Sequence, residues 1–251
     1  MRFFFQLNCF NKMSIWSQRS ASFDASKIQM SQLEILVPLV DENNKVLGAA
    51  TKHECHKLKD QNDIGMLHRA FSVFLFNSRK ELLLQQRSRF KVTFPNYFTN
   101  TCCSHPSYDK DELEEKNDLG IKLAAQRRMN FELGVHKNAL PVESFQVLTK
   151  VHYHAKADKE WGEHEIDYVL ICKRDIDLEN VNEDEVQKTF YVDQKGLKEF
   201  LKNAEQNNTL ITPWFKYVTE NFLYKWWDNL DHLEDFKDGT IHKAGDQSTL
   251  T

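Results

Sequence analysis

Two short stretches carry most of the chemistry available to this chain. Thr99-Asn100-Thr101-Cys102-Cys103-Ser104-His105-Pro106 sets thiols close to an imidazole, and Trp161-Gly162-Glu163-His164-Glu165-Ile166-Asp167 supplies a pair of alternating carboxylates. A thiol and a carboxylate facing each other across a pocket can deliver a proton to one side of a substrate and remove one from the other. Imidazole nitrogens and carboxylate oxygens in the same place can hold a divalent cation.

Side chains of an extended segment alternate between faces, so Glu163 and Glu165 share one face and His164 and Ile166 take the other. Two carboxylates on one face repel each other unless a cation lies between them or one keeps a proton. The same alternation groups Cys103 with His105 and turns Cys102 away as a small buried apolar residue. Pro106 biases His105 towards the extended conformation. Beside a cationic or metal-bound group, the Cys103 thiol is expected to have a lowered pKa and to exchange protons near neutral pH.

His56 and His68 flank the polar loop from Lys57 to Gly65. With His105 and the paired carboxylates they form a nitrogen and oxygen donor set suited to Zn²⁺ or Mn²⁺. Paired Cys-x-x-Cys segments are absent, which excludes the usual closed structural zinc site. Lys52, Arg87, Arg89 and Lys91 make a local basic cluster able to bind phosphate. Glu132, near the end of a helical pattern, can hold Mg²⁺ against a diphosphate.

The positioning elements are legible around these groups. Leu33 to Val40, a turn over Asp41–Lys45, and Val46 to Gly48 read as a hairpin. Phe71–Phe76 and Glu81–Arg87 read as a second one, with an apolar first strand that should be central. Ile121, Ala124, Ala125 and Met129 recur at helical spacing, and Gly134 is placed to stop that helix. Phe145–Tyr153 and Glu163–Cys172 read as strands, and Gln194–Ala204 and Pro213–Trp227 as helices. The tail after Asp235 lacks an apolar pattern and is expected to be loose. Strands, one helix, strands and C-terminal helices indicate an α+β domain with a mixed sheet. We divide the chain into an extension (1–32), one domain (33–231) and a tail (232–251).

Composition bounds the rest. The 251 residues carry 33 basic and 37 acidic side chains, a net −4, so no overall positive field suggests nucleic acid. Five cysteines are an odd number, and neighbouring Cys102 and Cys103 cannot readily bridge each other, which favours a reducing compartment. No apolar run approaches the ~20 residues needed to span a bilayer. The first 23 residues hold Arg2, Lys12 and Arg19 and no acid, as a mitochondrial transit peptide does. An extension upstream of a start at Met13 or Met30 is the alternative.

From about Leu33 to Asp231 the chain resembles the type I isopentenyl-diphosphate isomerases. The likeness rests on His68-Arg69-Ala70-Phe71-Ser72, Leu84-Gln85-Gln86-Arg87-Ser88, Thr99 to Pro106, Trp161 to Tyr168, and Thr212-Pro213-Trp214-Phe215. It implies a Nudix-like fold, with Arg127-Arg128-Met129-Asn130-Phe131-Glu132-Leu133-Gly134 as a degenerate end of the Nudix helix. That segment lacks one acid at Arg128 and another at Phe131, which argues against Nudix hydrolysis. The resemblance implies that Cys103 and Glu165 are the catalytic pair, with Tyr153 bonded to the glutamate and Trp214 facing the isoprenoid carbons. It implies His56, His68, His105, Glu163 and Glu165 around one divalent metal (Zn²⁺, Mn²⁺ or Mg²⁺). It further implies Lys52, Arg87, Lys91 and Ser104 on the diphosphate, and Glu132 near its Mg²⁺. The substrate would be a small isoprenoid diphosphate whose double bond moves through a tertiary cation. Glu165 would hold the proton to be delivered, and Cys103 would accept the departing one. No nucleic-acid or membrane partner, a monomer, and a cytoplasmic place, with mitochondrial or peroxisomal alternatives, complete the expectation.

Overall fold

The computed structural model describes residues 27–178 and 180–248; the possible transit peptide lies outside them. The elements run α1 (Lys27–Leu33), β1 (Leu36–Val40), β2 (Val46–Thr51), α2 (Lys52–His56), β3 (His68–Phe76), β4 (Leu82–Arg87), β5 (Phe98–Thr99) and β6 (Cys102–Ser104). They continue with α3 (Leu119–Leu133), β7 (Phe145–Lys156), β8 (Gly162–Lys173), β9 (Val186–Val192), α4 (Gln194–Asn207), α5 (Pro213–Val218), α6 (Tyr224–Asp228) and β10 (Ile241–Asp246). The expected α+β domain with a mixed sheet is what forms.

The sheet is ordered β10-β7-β8-β3-β1-β2, with β6 on β3, and β4 joining β3, β5 and β9. Strand β3 is buried along its whole length, as a strand apolar on both faces must be. It runs parallel to β8, with His68 opposite Glu165, and antiparallel to β6, with Ser72 opposite Cys103. Antiparallel β7 sets Tyr153 opposite Glu165. These three registers bring the sequence-distant motifs onto one face.

That face is packed by Phe74, Phe76, Leu148, Val151 and Val169 against Trp214, Phe215 and Trp226 of the C-terminal helices. The other face packs Phe71, Val73, Leu75, Leu170 and Cys102 against Ile121, Ala125 and Met129 of α3. Gly134 ends α3 with φ +70°, and an added Cβ would lie 2.5 Å from the Asn180 carbonyl oxygen, so glycine is required there.

Four local readings change. The segment Pro213–Trp227 is not one helix, because a π-helical turn over Thr219–Leu223 separates α5 from α6. Strand β9 was not legible, since its residues Val186–Val192 alternate only weakly and it lies at the sheet's edge beside β4. The tail is not loose over Ile241–Asp246, which pairs in parallel with β7; this edge addition relies on backbone bonds, which leave no apolar pattern. Helix α1, set aside as extension, sits on the domain. Gln29 donates to Glu185 Oε1 at 2.9 Å, and Gln32 accepts from Arg128 at 2.6 Å.

Candidate active site

Helix α2 begins the site. Thr51 and Glu54 form a reciprocal capping box, with Glu54 N donating to Thr51 Oγ1 at 3.2 Å and Thr51 N to Glu54 Oε2 at 2.8 Å. This Thr-x-x-Glu signal was available in the sequence and marks a helix start. It places Lys52 in the first turn and His56 one turn later, buried. His56 Nδ1 lies 2.8 Å from the Lys52 carbonyl oxygen, and His68 Nδ1 lies 2.7 Å from that of Met66. A carbonyl only accepts, so both Nδ1 atoms carry the proton and both Nε2 lone pairs are free.

Those lone pairs converge on one carboxylate. Glu165 Oε1 is 3.8 Å from His56 Nε2, 3.5 Å from His68 Nε2 and 2.9 Å from His105 Nε2. Ligand atoms of the four residues all lie within 4.8 Å of one another. The buried His68 Nε2 has no hydrogen-bond partner. Three inward nitrogens, one carboxylate and backbone carbonyls behind two of the rings fit a divalent cation. Burial, then the neighbouring rings, holds His56 well below the usual imidazole range, while burial brings His105 down to about 3 against the pull of Glu165. Burial thus favours the neutral form of His56 and His105, the form a metal requires.

Glu163 shares the face, as expected, but its oxygens are otherwise engaged. Thr93 donates to Oε1 at 2.7 Å and Tyr153 to Oε2 at 3.0 Å, while the same Tyr153 hydroxyl lies 2.7 Å from Glu165 Oε2. Burial and the Glu165 charge raise Glu163 to about 7. Burial also works against an ionised Glu165, but the hydrogen bond to His105 Nε2 and the nearby His68 ring outweigh it and hold that carboxyl well below its ordinary range. The carboxylate pair thus keeps its proton on Glu163.

Cys103 sits across the cavity, partly buried, whereas Cys102 is fully buried against α3. Sγ receives the Trp214 indole N–H at 3.0 Å and gives its own proton to Asn100 Oδ1 at 3.0 Å. Burial, then the nearby Asp167, pushes this thiol up to about 12. The three imidazoles turn towards Glu165 rather than towards sulfur. Trp214 stands at the second residue of α5, between Tyr153 and Arg87, whose guanidinium carbon is 5.4 Å from the ring centroid.

A basic end completes the cavity, lined by Lys52, Arg87 and Lys91 with Ser104, Cys103, Glu165 and Trp214. Arg87 is anchored by donating to the carbonyls of Phe94 (3.1 Å) and Thr93 (2.8 Å). Burial, then Arg128 and Lys91, lowers Lys52 to about 7. Lys91 pairs with buried Glu185, which Arg128 also approaches at 3.3 Å. Glu132 is buried and bonded to Arg128 at 2.6 Å rather than exposed at a helix end. Arg128 cancels the misfit of a carboxylate in the last helical turn.

Sequence reasoning missed four residues near the site: Asn100, Glu185, Gln29 and Asp167. Glu185 lies on a loop with no motif, and only the fold brings it to Lys91. Asp167 follows the Glu163–Glu165 alternation and could have been found by it. Both of its oxygens are buried without a hydrogen-bond partner, and burial, then Glu165, raises its pKa well above the carboxylate range.

A thiol and a carboxylate on one face, beside a cluster that could hold a metal and a cationic end, form a site suited to proton transfer on an anionic ligand. The Nudix domain family matches residues 66–215. A Deinococcus radiodurans structure shares the fold at TM-score 0.52 and 16% identity, covering 74% of this chain and 99% of that one. Isopentenyl-diphosphate Delta-isomerase 1 of Mesocricetus auratus is 47% identical over 86% of this chain and 95% of its own length. Isopentenyl-diphosphate Delta-isomerase I of Clarkia breweri is 50% identical over 82% of this chain and 73% of its own. The chain is a Nudix-fold protein and belongs to the isopentenyl-diphosphate Delta-isomerase family.

Proposed function

We propose that this chain interconverts isopentenyl and dimethylallyl diphosphate with Cys103 and Glu165 as the proton-transfer pair. The observation that carries the assignment is their presence on one sheet face, lining one cavity. An unactivated alkene is a poor base, and protonating it creates a tertiary cation. Cys103 carries its proton, which it donates to Asn100 Oδ1, whereas Glu165 accepts from the Tyr153 hydroxyl. From that state the thiol gives its proton to the terminal alkene carbon. Glu165 then takes a proton from the carbon next to the diphosphate-bearing one, and the double bond re-forms in the allylic position. The return reaction starts from the opposite protonation state. One C–H bond forms and one breaks, and the diphosphate is untouched. The Trp214 ring faces the cation, worth about 2 kcal/mol in a dry site, and Tyr153 holds Glu165 in place.

The metal site is read as His56, His68, His105 and Glu165, with Glu163 bordering it; Zn²⁺, Mn²⁺ or Mg²⁺ there would supply a fixed positive charge that orients Glu165. Lys52, Arg87, Lys91 and Ser104 bind the diphosphate, and Glu132 is read as the carboxylate that would meet its Mg²⁺. Hydrolysis, the reaction of other Nudix proteins, would need several free carboxylates on α3 to activate water. On α3, Arg128 and Phe131 stand where further acids would be needed. Incubation with isopentenyl diphosphate and Mg²⁺ is expected to yield the allylic diphosphate; released phosphate would overturn the reading.

We read the enzyme as a monomer in the cytoplasm, with mitochondria or peroxisomes as alternatives and with no nucleic-acid or membrane partner. Among the described residues no helix is long and apolar enough to cross a membrane. Fluorescent fusions of the full chain and of a Met30 start test the compartment: a mitochondrial pattern for the full chain alone would overturn the cytoplasmic reading.

A further inference from the structure

Asn100 is fully buried, and its geometry leaves no freedom. Its Nδ2 donates to the carbonyls of Val73 at 3.0 Å and Cys102 at 3.2 Å. Only the NH₂ end of an amide can donate, so Oδ1 must point the other way. Three donors converge there: Cys103 Sγ at 3.0 Å, Trp214 Nε1 at 3.1 Å and Thr99 Oγ1 at 2.9 Å. Thr99 is itself braced, because Thr212, the residue that precedes α5, donates to Thr99 Oγ1 at 2.7 Å. The proposed acid and the ring that faces the cation are thus fastened to one oxygen.

A thiol is a weak donor that rotates freely unless a strong acceptor holds it. The indole N–H is shared between Asn100 Oδ1 and Cys103 Sγ, so losing the oxygen would leave sulfur and ring free to drift together. We propose that Asn100 is a positioning residue of the isomerase, whose amide oxygen sets the S–H direction of Cys103 and the tilt of Trp214 so that both address the same point of the cavity. The proposal rests on Cys103 being a catalytic group. Displacing reacting groups by about 1 Å is enough to cost roughly 100-fold in rate.

The test combines Raman spectroscopy with kinetics. The S–H stretching band of Cys103, isolated as the difference between the wild-type protein and Cys103→Ala, is expected at the frequency of a strongly hydrogen-bonded thiol. In Asn100→Ala it should move to that of a free thiol, while kcat falls about 100-fold and KM stays close to wild type. A free-thiol band in the wild-type protein overturns the proposal even if Asn100→Ala does not fold. So does a folded Asn100→Ala with unchanged kcat, or one that raises KM with the band unmoved, which would make its role structural. Full activity in Cys103→Ala would instead overturn the Cys103 assignment, and with it the catalytic part of the proposal.

Discussion

Two histidine trios occupy opposite faces of this sheet, and among the described residues only one belongs to a group that could hold a metal. On the inner face, His56, His68 and His105 aim at Glu165, and two of the rings are fixed by carbonyls behind them. On the outer face, His152 and His164 meet Nε2 to Nε2 at 3.0 Å, with ring centroids 5.2 Å apart. That separation is what two rings sharing one proton head to head would give, leaving no room for an ion between them. His154 instead lies 3.6 Å from Asp246 of β10. The number of histidines is equal, so it decides nothing. Convergence on a carboxylate decides it.

The comparison breaks most sharply at the catalytic face. Cys103→Ala and Glu165→Gln should each lower kcat by at least about 1,000-fold, within the range for losing a positioned acid or base, with folding intact by circular dichroism. Cys102→Ala should stay active and cost about 1 kcal/mol in denaturant unfolding, since it removes only a small buried group. A dead Cys102→Ala with an active Cys103→Ala would reverse the face assignment.

Metal content separates the trios next. His68→Ala should lose a tightly held transition metal by mass spectrometry, whereas His152→Ala should keep it. Retention in His68→Ala would move the metal elsewhere.

The basic end comes third. Arg87→Ala and Lys91→Ala should each weaken diphosphate binding in calorimetry by about 1.5–3 kcal/mol, the worth of a hydrogen bond to a charged group. Lys91→Ala should also lower the melting temperature, because it removes a partner of buried Glu185, whereas Arg87 pairs with no acid among the described residues. Normal binding in both would place the diphosphate elsewhere.

Lys52 adds a pH dependence. Its ammonium is lowered to about 7, so its charge is present below that pH and lost as pH rises through it. KM for the diphosphate should therefore climb above about pH 7, and Lys52→Arg, which keeps its charge, should flatten that limb. A KM that falls with rising pH would contradict the sign. The smallest effect belongs to the outer trio: His152→Asn should change stability by no more than about 1 kcal/mol, one ordinary hydrogen bond, and leave turnover unchanged.

Sequence by itself determined the α+β class, the central strand β3, the course of α3 with its Gly134 stop, and the facing of Cys103, His105, Glu163 and Glu165. All of these follow from local rules: the two-residue alternation of a strand, the helical repeat, and the need for glycine at a left-handed position. Tertiary structure alone decided the protonation pattern. Glu165 is held low by the hydrogen bond to His105, Glu163 is raised by burial and then by the charge beside it, and the Cys103 thiol is raised by burial and then by Asp167. It also decided that Glu132 is neutralised by Arg128 and that Glu185 and Gln29 join the basic end of the site. Such outcomes depend on distances between residues far apart in the chain and on exclusion of water. Neither quantity is written in local spacing, because a charge responds to its neighbours in space and to the dielectric around them.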